Sequence, residues 1–189
     1  WVGTKGNGIL KIYDYEFDKN ISDCRAEVLT TSNSALSSNA VYCFAKSHRN
    51  LLWIGDEEGL TYYSYREKRI KSIPIRIGNE DFKYIHDIYE TADSDLWLAR
   101  VGMGVVKARI AGTPDNPVIV DAQRYIINDG ELGSNYFFTI YAENEANLLF
   151  GNKGYGVFRY NETTNGLEPV STHKYENMTL NNILAISKD

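Results

Sequence analysis

The sequence is poor in cysteine. It has two, Cys24 and Cys43, and neither sits in a Cys-x-x-Cys pair or a Cys/His cluster. A zinc site is therefore without support. Two small buried residues are the simpler reading, since a disulfide would need an oxidising compartment. No apolar run approaches the roughly 18 residues of a membrane-spanning helix. There is no excess of positive charge: the net charge is −5, with acids and bases interspersed. That excludes the basic footprint of a nucleic-acid binder. Helical periodicity is missing over any long window, so a helical bundle is excluded too. No signal peptide or Met heads the chain, which opens on Trp1-Val2-Gly3-Thr4 and reads as a piece of a longer protein.

What is there is aromatic and repetitive. Aromatic residues make up 13% of the chain, with 14 Tyr and 3 Trp, a composition suited to strands and to interface surfaces. Four segments align on Trp1, Trp53, Trp97 and Leu149: WVGTKGNGILKIY, WIGDEEGLTYY, WLARVGMGVVKA and LFGNKGYGVFRY. The anchors lie 52, 44 and 52 residues apart, a period belonging to propeller blades. Upstream of the anchors, Val41, Ile85 and Phe137 recur in register, as do Phe44, Ile88 and Ile140; Asn181, Ile183 and Ile186 open the pattern once more.

Each repeat reads as four short strands, β-branched and aromatic, joined by Gly, Asn, Asp and Ser. The second has strands at 41–47, 51–56, 59–67 and 71–77. The third has them at 84–91, 95–100, 104–110 and 117–126, and the fourth at 136–143, 147–152, 156–162 and 167–175. The fold class is all-β, built of propeller blades of four antiparallel strands. The chain is one propeller segment, 1–189, with repeats at about 1–36 (partial), 37–80, 81–131, 132–178 and 179–189.

The anchors have a packing role. Trp1, Trp53, Trp97 and Leu149 are expected between blades; Leu149 leaves its blade less tightly packed unless Phe150 compensates. Gly3, Gly55 and Gly151, two residues on, let neighbouring sheets approach, with Ala99 in that place in the third repeat. Gly8, Gly59, Gly104 and Gly156 are expected at positive φ, closing the next turn.

The pattern resembles the two-component regulator propeller repeat. Leu52-Trp53-Ile54-Gly55, preceded by Ser38-Asn39, Val41 and Phe44, carries the motif, and Trp1 to Ile9 is the nearest copy of its core. Leu96-Trp97-Leu98 and Gly151 to Gly156 are weaker copies. The departures are Leu149 for Trp, Ala99 for Gly and Lys83 for Asn. The resemblance implies the extracytoplasmic, periplasmic sensor region of an inner-membrane hybrid histidine kinase of the kind found in gut Bacteroidetes. It implies an oligosaccharide ligand, a homodimer in the full protein, and no membrane contact by this segment.

Two closures fit. Residues 181–189 can supply the inner strand of the blade that starts at Trp1, closing a four-blade ring. Alternatively the chain is an arc of a larger propeller. The second is favoured, because repeats of this family rarely stop at four.

Candidate ligand contacts lie on the turns of one face: Lys5, Asn7, Tyr84, Arg100, Asn135, Tyr136, Lys153 and Tyr155. Their rings, amides and cations suit stacking on a sugar and hydrogen bonding to it. Ordinary solvated turns are the plain alternative. For Asn39, Asn135 and Asn181 a specific alternative is side-chain capping of the turn leading into the inner strand. His86 and Asp87 are expected on an inner strand, as a structural polar pair. No catalytic residue, cofactor or metal is expected: Asp56, Asp87 and Glu143 occupy different depths of the repeat, and no motif fixes the carboxylate pair of a glycosidase.

Overall fold

The computed structural model describes residues 1–74, 82–127, 135–170 and 182–187. Among the described residues, fifteen strands form four antiparallel sheets, one per blade. Blade one holds β1 (Val2–Gly3), β2 (Ile9–Ile12) and β3 (Ala26–Leu29). Blade two holds β4 (Val41–Lys46), β5 (Leu51–Asp56), β6 (Leu60–Ser64) and β7 (Arg69–Ser72). Blade three holds β8 (Ile85–Glu90), β9 (Asp95–Arg100), β10 (Gly104–Thr113) and β11 (Asn116–Tyr125). Blade four holds β12 (Phe137–Asn144), β13 (Asn147–Asn152), β14 (Gly156–Asn161) and β15 (Gly166–Pro169). Strand order within each sheet follows the chain, the meander expected of a blade. The expected strands are found with shifted ends; parts of 71–77 and 167–175, and His173, Asn181 and the repeat boundaries near 80, 131 and 178, lie outside the described residues.

The core sits between blades rather than within them. All six residues of β5 are buried, because each of its faces meets a neighbouring sheet. Trp53 packs with Ile85, Leu98 and Val106 between blades two and three. Trp97 packs with Phe137, Phe150 and Phe158 between blades three and four. Trp1 lies half-buried against Tyr63 and Phe44. Leu149 is half-buried, while Phe150 beside it is fully buried with its ring 5.5 Å from that of Trp97. Phe150 is thus the large side chain of that strand.

Close approach explains the anchor glycines. A β-carbon at Gly55 would stand 2.6 Å from both Ile85 Cγ2 and Cys43 Sγ and 2.9 Å from the Ile85 carbonyl. Gly151 faces Ile183 and Gly3 faces Val41 in the same way. Gly55→Ala is expected to destabilise by roughly 1–3 kcal/mol through overpacking, read by urea denaturation, with Gly166→Ala, whose nearest neighbour lies 3.8 Å away, near neutral. Positive φ holds at Gly8, Gly104 and Gly156, but Gly59 is a correction. Its turn is shorter and is shaped instead by the buried Asp56 carboxylate, which accepts from the N–H groups of Glu58 (2.9 Å) and Gly59 (2.8 Å).

The arc is open. Val41 N–H donates to the Thr4 carbonyl at 2.9 Å, and Ile183 N–H donates to the Asn152 carbonyl at 3.0 Å. Residues 182–183 therefore meet blade four as 40–41 meet blade one. Among the described residues β1 pairs only with β2, so 182–187 does not fill blade one's inner position and the four-blade closure is not formed. The long β10–β11 hairpin reaches back over blade two: Arg66 pairs with Asp115, Lys71 Nζ donates to Asn116 at 2.7 Å, and Ile119 N–H donates to the Pro74 carbonyl at 3.0 Å. Both cysteines are free.

Candidate functional site

The inner strands β4, β8 and β12 carry the same irregularity. Their ladders to β5, β9 and β13 shift register between Val41 and Cys43, between Ile85 and Asp87, and between Phe137 and Thr139. A β-bulge adds a residue and re-aims its side chain. The re-aimed residues are Tyr42, His86 and Phe138, each eleven residues before its anchor. Tyr42 stacks on His86 with ring centroids 4.1 Å apart and planes at 16°. Phe138 meets the other side of His86 edge-on at 5.1 Å. Three rings from three blades thus form a continuous row, each half-buried.

Two more rings stand next to this row. Tyr84 and Tyr136 occupy matching positions just before β8 and β12 and are 38% and 37% exposed. Tyr84 has φ +57°, a left-handed conformation unusual for a bulky side chain. Its backbone is held from both sides: Tyr84 N–H donates to the Glu57 carbonyl at 3.0 Å, and Val101 N–H donates to the Tyr84 carbonyl at 3.1 Å. Tyr136 lies across Gly102, with Lys153 Nζ 6.0 Å from its ring centre, at the outer range of a cation–π contact.

The row is uncharged near neutral pH. Burial alone holds the His86 imidazole below its usual range. Burial first, then the nearby Glu57, Tyr84 and Asp56, push the Tyr42 hydroxyl up. The surface thus offers ring faces and edges together with hydroxyl and imidazole groups. That suits uncharged, polyhydroxylated ligands.

The eight expected contacts divide. Tyr84 lies close enough to Tyr42 to act on its hydroxyl, and Lys153 stands over the Tyr136 ring. Arg100 is a correction: it is fully buried at the end of β9, and its Nε donates to the Lys83 carbonyl at 3.2 Å. It braces the strained backbone beside Tyr84 instead of meeting solvent. Asn135 Oδ1 accepts from Ile127 N–H at 2.7 Å, and Asn39 Oδ1 accepts from Thr31 N–H at 2.9 Å. These are the same eight-residue loop closure, so the capping alternative describes both. Tyr155 packs on the core of blades three and four. Lys5 and Asn7 are exposed on blade one's turn, where Lys5 bridges to Ala40. A cavity of about 450 Å³, lined by Lys46, Ser47, His48, Asn50, Leu51 and Tyr65, opens at the opposite ends of the strands.

Asp87 was expected to pair with His86. It turns instead toward blade four, where Oδ2 accepts from Ile140 N–H at 2.7 Å and Oδ1 from Ile88 N–H at 2.9 Å. Cys43, at the same register in blade two, donates from Sγ to the Ile85 carbonyl at 3.6 Å. Sequence reasoning missed Tyr42 and Phe138. Their signal was an aromatic ring at one fixed distance before each anchor.

Fold and site together define an open β-propeller arc with an aromatic row across its inner strands. No family model matches the sequence, and no curated protein matches it. Solved structures do match in fold. The extracellular domain of BT4673 from B. thetaiotaomicron, described as a hybrid two component system, shares 17% identity at a TM-score of 0.67. That match covers 92% of this chain and 23% of that one. The corresponding domain of BT3049 from the same organism shares 15% identity at a TM-score of 0.63, over 89% of this chain and 21% of that one. A streptogramin B lyase shares 16% identity at 0.53, over 78% of this chain and 45% of that one. The fold is thus shared with extracellular domains of B. thetaiotaomicron hybrid two-component systems, and this chain spans less than a quarter of those domains. A lyase shares this likeness of fold, so the fold alone does not decide the function. Among the described residues, no helix is long and apolar enough to cross a membrane.

Proposed function

We propose that this chain is a non-catalytic part of an extracytoplasmic, periplasmic sensor, that it senses an oligosaccharide, and that its signal passes to a histidine kinase in a dimeric full protein. One observation carries the reading: Tyr42, His86 and Phe138 form an uncharged ring row beside the exposed Tyr84 and Tyr136. The strained φ of Tyr84 supports it, since such backbone persists only where its surroundings enforce it, and it clusters at ligand sites. Fold likeness to extracellular two-component domains supports the setting. A sensed ligand must bind two states of the sensor with different affinity, and a row spanning three blades is sensitive to how those blades pack.

The test is a thermal-shift and calorimetric screen of neutral oligosaccharides on the parent chain and on Tyr84→Ala/Tyr136→Ala. Ring contacts worth about 0.5–1.5 kcal/mol each predict affinity lowered about tenfold in the double variant, with little change in melting temperature without ligand. Equal binding by both proteins moves the site off these rings. No binding by the parent leaves an interaction scaffold as the better reading.

A further inference from the structure

The Trp53 indole N–H donates to the buried Glu90 carboxylate of the next blade at 2.8 Å. Trp97 is the same anchor one blade on, and it is only 2% exposed. Among the described residues its indole N–H makes no hydrogen bond, and Nε1 is not one of the fully enclosed polar atoms that lack a partner, so it faces solvent at the blade joint. The residue of blade four at the register of Glu90 is Ala142, whose side chain ends at its β-carbon and packs in the Trp97 cluster. A carboxylate is therefore missing from the second of two equivalent places.

A cavity lies there instead. It holds about 200 Å³ and is lined by Trp97 together with Asp93, Asp95, Lys107, Glu145 and Tyr160. Asp95, Lys107 and Tyr160 continue into an adjoining cavity of about 150 Å³. Each is below the 300–1,000 Å³ of sites for drug-sized ligands and well above the about 30 Å³ of one water. The space fits a single small ring. It opens between blades three and four at the strand ends opposite Tyr84 and Tyr136, because Asp93 and Glu145 lie in the turns at that end.

Its chemistry narrows the occupant. Lys107 is the one cation lining the first cavity and pairs with Asp95 at 3.4 Å, while Arg109 lines the adjoining one. Asp93, Glu145 and Glu162 add further negative charge. The acidic lining disfavours an anion, while a neutral hydroxyl can accept from the Trp97 indole N–H and donate to carboxylates. Tyr160, whose ring centre is 4.7 Å from that of Trp97, supplies an apolar wall. We infer that the groove between blades three and four is a separate binding site for one neutral sugar residue, with Trp97 Nε1 donating to a ligand hydroxyl.

The test reads the three tryptophan indole N–H signals of the full chain by NMR. The probes are the methyl glycosides of glucose, galactose, mannose and N-acetylglucosamine at millimolar concentration, with glucuronate and inorganic phosphate as anionic controls. The expected result is that at least one neutral glycoside shifts the indole signal that vanishes in Trp97→Phe, and that neither anion does. Ala142→Glu, which restores the Trp53–Glu90 arrangement, should weaken that binding at least tenfold. Glu162→Arg, an exposed change that crowds the opening, should do the same if Ala142→Glu fails to fold. Silence of the Trp97 signal across the neutral panel overturns the site. A shift that survives both folded variants also overturns it, and stronger binding of the anions overturns its chemistry. Tyr84→Ala/Tyr136→Ala should leave the shift intact, so the upper row and this groove fail independently.

Discussion

Trp53→Ala is expected to remove about 3–5 kcal/mol of stability, the range for truncating a fully buried large aromatic side chain. Three losses combine. The indole leaves a cavity between blades two and three, where it packs with Ile85, Leu98 and Val106. It gives up its tilted contact with Tyr62, whose ring centre is 5.8 Å away. It also abandons Glu90, whose carboxylate is buried and accepts the indole N–H. Arg49 Nε stands 3.9 Å from Glu90 Oε1, too far to replace that hydrogen bond. A buried carboxylate without a donor costs more than the bond itself contributed. Trp53→Phe separates the terms, keeping most of the volume and losing the donor. Urea denaturation of Trp53→Phe, Glu90→Gln and the pair closes a double-mutant cycle. A coupling near zero would show that the Trp53–Glu90 bond contributes nothing and that the indole acts by volume alone. A Trp53→Ala loss below about 1 kcal/mol would contradict the inter-blade core.

Asp87→Ala is expected to cost about 2–4 kcal/mol, because the backbone N–H groups of Ile88 and Ile140 both lose their acceptor at a partly buried site, each worth about 1–3 kcal/mol. Ile140 belongs to blade four, so the variant should loosen the joint between blades three and four. Hydrogen exchange at the Ile140 amide reads that directly. Asp87→Asn keeps one acceptor oxygen and should fall between parent and Ala. The effect should depend on pH. Burial raises the Asp87 carboxyl above the usual aspartate value, against the three hydrogen bonds that lower it. The unfolded chain therefore releases this proton first. Stability owed to Asp87 is full below the ordinary value near 3.9, is lost as pH rises through the raised folded value, and is level above it. Asp56 behaves the same way, with burial outweighing its hydrogen bonds to Ser37, Glu58, Gly59 and Ser38. The stability gap between parent and Asp87→Ala should thus be wider at pH 4 than at pH 7. A gap that widens with pH would mean that the hydrogen bonds outweigh burial.

The register of Asp87 shows where reading the sequence stops. The alignment placed Cys43, Asp87 and Thr139 at one register, and the sequence reading took His86 and Asp87 together as a structural polar pair on an inner strand. It gave no means of telling which side faced the channel and which the next blade. Arg100 shows a second limit. A charged residue at the start of a turn suggests exposure, yet β9 is flanked on both faces by other blades, so its last residue is enclosed and finds a carbonyl at Lys83. Asn39 and Asn135 were legible as turn residues, because an Asx side chain reaches backbone a few residues away. Trp97 and Ala142 were each visible, but their relation was not: an unanswered indole exists only once blades three and four are set side by side.

The sequence by itself determined the blades. Strand alternation, glycine turns and a large anchor every 44 or 52 residues are local signals, and each is set by the pleat and by φ preferences of a few adjacent residues. It also marked Trp53 and Trp97 as core, whereas Trp1 and Leu149 are only half-buried. Only the tertiary structure decided which rings are offered to a ligand. The bulge in each inner strand adds one residue, and one residue moves every later side chain to the other face of a strand. That single step takes Tyr42, His86 and Phe138 out of the alternation and lines them up across three blades. The cause is the pairing with the neighbouring strand, and pairing is a long-range contact that no short stretch of sequence contains.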